Sequence, residues 1–113
     1  MKVTTSHTGP IAVVRVGEPK LMYPLLSDFV ATITGLIGAG EKKIVVDLTP
    51  VGYVDSATIG CLMDLYRQAM AAGGTLKLAG VQKRVETMLT MTGAQNFLEV
   101  HADEASALAS FGS

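Results

Sequence analysis

One thiol, two imidazoles, a glycine-framed segment and an Asp-Ser pair are the candidates for chemistry in this chain. Cys61 with His7 or His101 would make a nucleophile and its base. Cys61, however, falls in mid-helix and both histidines fall near distant strand ends, so an inert, buried or half-buried thiol is the simpler reading. A lone cysteine excludes an internal disulfide, and two histidines do not complete a thiolate zinc site. Gly35-x-x-x-x-Gly40 has the outline of a phosphate loop, yet Glu41 stands where the lysine belongs and the segment ends a helix instead of opening one. No two carboxylates have a spacing that sets them side by side on one helix face. These residues support no catalytic, metal or cofactor chemistry.

The informative stretch is Gly52-Tyr53-Val54-Asp55-Ser56-Ala57-Thr58-Ile59-Gly60. It leaves a short, mostly β-branched run, Ile44 to Leu48, of the kind buried on both faces of a parallel sheet. In such sheets ligand and partner sites gather where loops leave the carboxyl ends of strands. Asp55 and Ser56 are both good N-cap residues for the helix that follows. Either they simply cap it, or Ser56, exposed at a helix start whose unpaired N–H groups favour an anion, accepts a phosphate.

The elements that must position this loop follow from periodicity and punctuation. Val3 to Thr5 and Ile11 to Val16, separated by Thr8-Gly9-Pro10, predict a hairpin with a short edge strand. Pro19 and Pro24 bracket a loop, and Pro24 suits a first helical position. Leu25, Leu26, Phe29, Val30, Ile33, Leu36 and Ile37 make one apolar helical stripe that Gly38 to Gly40 ends. The helix after Asp55 or Ser56 runs to about Ala72, with Ile59, Leu62, Met63, Tyr66 and Met70 inward and Gly73-Gly74 as its stop. A strand at Thr75 to Leu78, a helix at Gln82 to Thr92 closed by Gly93, a strand at Phe97 to Val100 and a helix capped by Asp103 complete the chain. The order β-β-α-β-α-β-α-β-α implies an α/β fold, residues 1–113 as a single domain, with a mixed, mostly parallel sheet, an N-terminal hairpin and about four helices.

With that stripe inward, Cys61 points nearly opposite it, beside Ala57, Asp64 and Gln68, with Leu65 on the flank. A surface helix usually fills such an arc with charge. Here it is small, apolar or weakly polar, which suits either scattered surface residues or a partner surface next to Ser56. As a partner surface it comprises Tyr53, Asp55, Ser56, Ala57, Thr58, Cys61, Asp64, Leu65 and Gln68.

Composition narrows the class further. Apolar residues make up 49% of 113, which excludes disorder. A formal net charge of −1 lacks the basic footprint of a nucleic-acid binder. Met1 to His7 has no signal-peptide core, and the uncharged run Phe29 to Gly40 is too short to span a membrane, so the chain reads as cytoplasmic without direct membrane insertion.

Taken together, Val46-Asp47-Leu48, Asp55-Ser56-Ala57-Thr58-Ile59-Gly60, Gly73-Gly74, Leu76-Lys77-Leu78, Val81 with Val85, and Thr92-Gly93 resemble, in order, the pattern of STAS domains of the anti-sigma factor antagonist (anti-anti-sigma factor) type. The resemblance covers residues 10 to 111 and implies a bacterial partner-switching protein of transcription regulation, not an enzyme. In such proteins the Ser of the Asp-Ser pair is phosphorylated by an ATP-binding serine kinase that doubles as the anti-sigma factor. The unphosphorylated form sequesters that kinase and the phosphorylated form releases it. Carried over by position, Ser56 is the acceptor, Asp55 shapes its surroundings, and Ile59 with Gly60 forms the helix start packed on the sheet. Two departures stand out. Thr58 replaces the usual Gly or Ala and crowds Ser56 with a second hydroxyl and a branched side chain, so either Thr58 competes as a phosphosite or the kinase pocket is altered, and residues 17–23 depart from the family's usual loop. The same resemblance admits other roles: a cytoplasmic accessory subunit of a lipid or anion transporter, or a scaffold subunit of a stress-sensing complex. It also admits a homodimer.

Overall fold

Turn chemistry places the first two strands. In the computed structural model, which describes residues 3–22 and 25–111, β1 (Val3–Thr8) pairs antiparallel with β2 (Ile11–Val16), from Val3↔Val16 to Thr8↔Ile11. Gly9 takes φ +59°, the left-handed conformation that a two-residue hairpin turn needs at its first central position. β1 extends beyond Thr5 because the ladder to β2 carries Ser6, His7 and Thr8 along.

Then come β3 (Lys20–Leu21), α1 (Leu25–Gly38), β4 (Lys43–Asp47), β5 (Tyr53–Val54), α2 (Ser56–Ala71), β6 (Thr75–Ala79), α3 (Lys83–Thr92), β7 (Val100–His101) and α4 (Glu104–Ala109). The expectation for Pro24 falls outside the described residues. The main sheet runs β1-β2-β4-β6-β7, antiparallel in the hairpin and parallel elsewhere. This is the α/β architecture with four helices that the sequence predicts.

Two differences concern the segments read as loops and the last strand. β3 and β5 form a separate parallel pair, Lys20↔Tyr53 and Leu21↔Val54. Strands of two residues are too short to leave a periodic signal. The last strand is Val100–His101, not Phe97 to Val100: after Gly93 the chain makes a 3₁₀ turn over Ala94–Asn96 that drops Leu98 into the core and leaves Phe97 56% exposed.

The sheet has a thick and a thin cover. On one face, Val14, Val16, Ile44, Val46, Leu76 and Leu78 pack with Phe29 and Ile33 of α1, Leu62 and Leu65 of α2, and Val85 and Leu89 of α3. On the other, among the described apolar residues, Ile11, Val13, Val45 and Ala79 meet only Ala107, Leu108 and Phe111 of the α4 segment. The junction of α2 with β6 is tight. Thr75 donates its N–H to the Lys42 carbonyl at 2.8 Å, and a Cβ on Gly74 would lie 2.5 Å from that same oxygen.

Candidate functional site

The loop after β4 is held at several points before it reaches Ser56. The N–H of Val51 donates to the Leu48 carbonyl at 2.9 Å, and those of Gly52 and Tyr53 donate to Pro19 at 2.8 and 3.2 Å. The β3–β5 pair then fixes the start of α2. Asp55, not Ser56, is the N-cap: its backbone is extended at φ −102°, and its Oδ1 accepts the N–H of Thr58 at 2.8 Å. Hydrogen bonds from the Thr58 hydroxyl and N–H hold the Asp55 carboxyl below its ordinary pKa.

With the cap supplied by Asp55, Ser56 is left as the exposed first residue of the helix, its side chain in no hydrogen bond among the described residues. Ala57 beside it is exposed, and Tyr53 is 40% exposed. Thr58 is different. It is fully buried, and its single hydroxyl hydrogen faces two acceptors, the Leu21 carbonyl and Asp55 Oδ1, each at 2.7 Å. This corrects the expectation that Thr58 crowds Ser56, lines the partner surface or competes as a phosphosite. A side chain pinned inward is open to none of these.

Leu65 needs the same correction. It is 1% exposed, in an inner stripe made by Thr58, Ile59, Leu62, Leu65 and Ala69. Met70, placed inward by sequence, is 50% exposed. At about 100° per residue the true stripe is rotated by about 75° from the predicted one. The cause is Thr58: its polar type argued for an outward position, and its bond to Leu21 turns it inward. Cys61 and Gln68 become half-buried flanks, while Asp64 is exposed and accepts from Gln68 Nε2 at 3.0 Å. Ile59 packs in the core as the resemblance implies, but Gly60 faces outward, with nothing within 4 Å of a Cβ built on it.

The rotation sets Ser56 beside residues the sequence reading did not place at the site. Ser56, Gly60, Met63 and Arg67 of α2, with Ile59 beneath, line a trough of about 400 Å³ whose other wall is Thr92, Gly93, Ala94 and Phe97. Phe97 was hidden by its apparent place in a strand.

A second cavity, of about 670 Å³, lies at the carboxyl ends of β2 and β4 on the thinly covered face. There Arg15 Nε and Nη2 donate to the two Glu104 carboxylate oxygens at 2.6 and 2.9 Å, and Nη1 donates to Ser6 Oγ at 2.8 Å. Burial pushes the Asp47 carboxyl up, but the hydroxyl and N–H of Thr49, which both donate to its Oδ1, and the charge of Arg15 together hold it below the ordinary range. Each imidazole sits on a glutamate, His7 on Glu41 and His101 on Glu99. Among the described residues no helix is long and apolar enough to cross a membrane.

Solved structures share this architecture at low sequence identity. An anti-sigma factor antagonist from Mycobacterium paratuberculosis superposes with a TM-score of 0.85 at 15% identity, over 96% of this chain and 91% of that one. The Bacillus cell fate determinant SpoIIAA in its phosphorylated form gives 0.75 at 18% identity, over 96% and 98%. The murine anion transporter Slc26a9 gives 0.75 at 18% identity, over 88% of this chain but 17% of the transporter. The family model described as the STAS domain matches residues 2–107, nearly the whole sequence. With the hairpin, the parallel sheet and the Asp55-capped helix in place, the chain belongs to the STAS domain family.

Proposed function

We propose that this chain is an anti-sigma factor antagonist, a non-enzymatic binding module switched by phosphorylation of Ser56. Unphosphorylated, it sequesters a soluble, ATP-binding serine kinase that acts as an anti-sigma factor; phosphorylated, it releases it. The observation that carries this reading is the division of labour at the start of α2: Asp55 caps the helix, so the exposed Ser56 hydroxyl has no structural duty. A phosphate there would add about −1.5 to −2 charge to a surface that otherwise presents Tyr53, Ala57, Asp64 and the flank of Cys61 and Gln68. Similarity to SpoIIAA, a protein solved in a phosphorylated form, supports the same reading.

The test is capture from native lysate by immobilised wild type, Ser56→Ala and Ser56→Asp. Wild type and Ser56→Ala retain a serine kinase and Ser56→Asp loses it. Equal retention by all three overturns the switch. The similarity to Slc26a9 favours a second reading, an accessory subunit of a transporter. On that reading all three forms retain membrane components and no kinase.

A further inference from the structure

We infer that the trough between α2 and the Gly93–Phe97 turn is the seat of an apolar side chain from the protein partner, one flanked in the partner's chain by a carboxylate that pairs with Arg67. The inference rests on reading the outer face of α2 as the partner surface, and it adds the chemistry of what binds there.

The trough is built for one such group. Ile59, Met63, Ala94 and Phe97 supply its apolar lining, while Gly60 and Gly93 add no side chain to either wall. Phe97 is 56% exposed although the core lies next to it through Ala94 and Leu98, each at most 2% exposed. A ring left in water beside a concave apolar surface is costly in isolation and is what a partner would cover. Aromatic, methionine and arginine side chains are also the types enriched at interface centres, and this trough holds one of each.

Charge selects the occupant. Among the described residues, Arg67 is the only ionisable group lining the trough. It forms no ion pair or hydrogen bond among the described residues, whereas Arg15 and Lys77 are both engaged by glutamates. An unpaired guanidinium at the rim of an apolar trough favours a carboxylate, with the fork geometry suited to it, and opposes a lysine. Ser56 and Arg67 are eleven residues apart, about three helical turns and about 16 Å, so they share one face of α2 at opposite ends of the trough. A segment lying along it would reach both.

The test uses the full chain and two end-blocked peptides, Glu-Leu-Ala-Ala-Leu-Glu and its counterpart with both glutamates replaced by lysine. Each is titrated into ¹⁵N-labelled protein and followed by amide shifts. The acidic peptide is expected to shift Met63, Arg67, Gly93, Ala94 and Phe97 and to bind at least about fivefold tighter than the basic one. Arg67→Glu reverses that preference, and Phe97→Ser weakens both peptides by about fivefold or more. Amide shifts unchanged outside the trough in the same spectra are expected for both substitutions, since both sites are exposed. Shifts confined to other residues, a preference indifferent to Arg67→Glu, or trough shifts produced by concentrating the chain alone, which would make a second copy the occupant, each overturn the inference. Because no peptide measurement involves Ser56, a failure of the phosphorylation switch in the capture experiment is told apart from a failure of the trough.

Discussion

The hydroxyl of Thr58 bonds the carbonyl of Leu21 at 2.7 Å across 37 residues of sequence. This contact ties the first turn of α2 to β3, so the position of Ser56 is set from outside its own loop. Thr58→Val keeps the shape and removes the donor that the buried Leu21 carbonyl and Asp55 Oδ1 share. The expected cost is about 1–2 kcal/mol, a fall in Tm of roughly 5–10 °C by calorimetry, with Thr58→Ser recovering part of it.

Asp55 gives a pH-dependent counterpart. Its folded-state pKa lies below the unfolded value because the ionised carboxyl accepts from the Thr58 hydroxyl and N–H. The contribution is therefore fully present above the unfolded value of about 3.9 and is lost as pH falls through the lower folded one. Asp55→Ala is expected to cost about 1 kcal/mol in urea unfolding at pH 7. The gap between variant and wild type stays constant from about pH 5 to 8 and narrows by pH 3.

On the thin side of the sheet, Arg15 and Glu104 fasten α4 by a bidentate pair, and Lys77 Nζ, over the Phe111 ring at 4.3 Å, donates to Ser110 Oγ at 2.9 Å. The Arg15–Glu104 pair is partly solvent-exposed, so Glu104→Gln should lower global stability by less than about 1 kcal/mol. Its effect should be local. Hydrogen exchange at the Ala107 and Ser110 amides, which bond within α4, is expected to quicken several-fold while amides of β4 are unchanged.

Two glycines separate close approach from mere helix placement. Gly74→Ala would force a methyl against the Lys42 carbonyl at 2.5 Å and is expected to cost about 1–3 kcal/mol. Gly35→Ala, in the exposed interior of α1 with nothing within 4 Å, is expected to stabilise by about 0.4–1 kcal/mol. Urea midpoints of the two variants should move in opposite directions.

Much of this architecture was legible because its signals were redundant. The β-branched runs at Ile11 and Ile44, the stops at Gly73 and Gly93 and the caps at Asp55 and Asp103 each agree with their neighbours. What escaped had no local signature. The pairing of Lys20–Leu21 with Tyr53–Val54 is a long-range contact between two short pieces. Thr58 is a polar residue whose burial depends on a carbonyl far away in sequence, and misplacing it turned the whole inner stripe of α2. Leu65 followed that error, and so did Arg67, whose place in the trough shows only once the rotation is known. Phe97 carries the composition of a strand residue, and only the 3₁₀ turn before it reveals its exposure.

The pairing of β3 with β5 also makes the two loops inseparable in any chimera. Pro19 receives the amides of Gly52 and Tyr53, and Leu21 receives Thr58. Residues 17–22 are thus the jig in which residues 49–58 are set. A graft that imports a foreign Asp-Ser loop alone would carry the acceptor without the surface against which it is aligned, and recipient and donor would have to exchange both segments together.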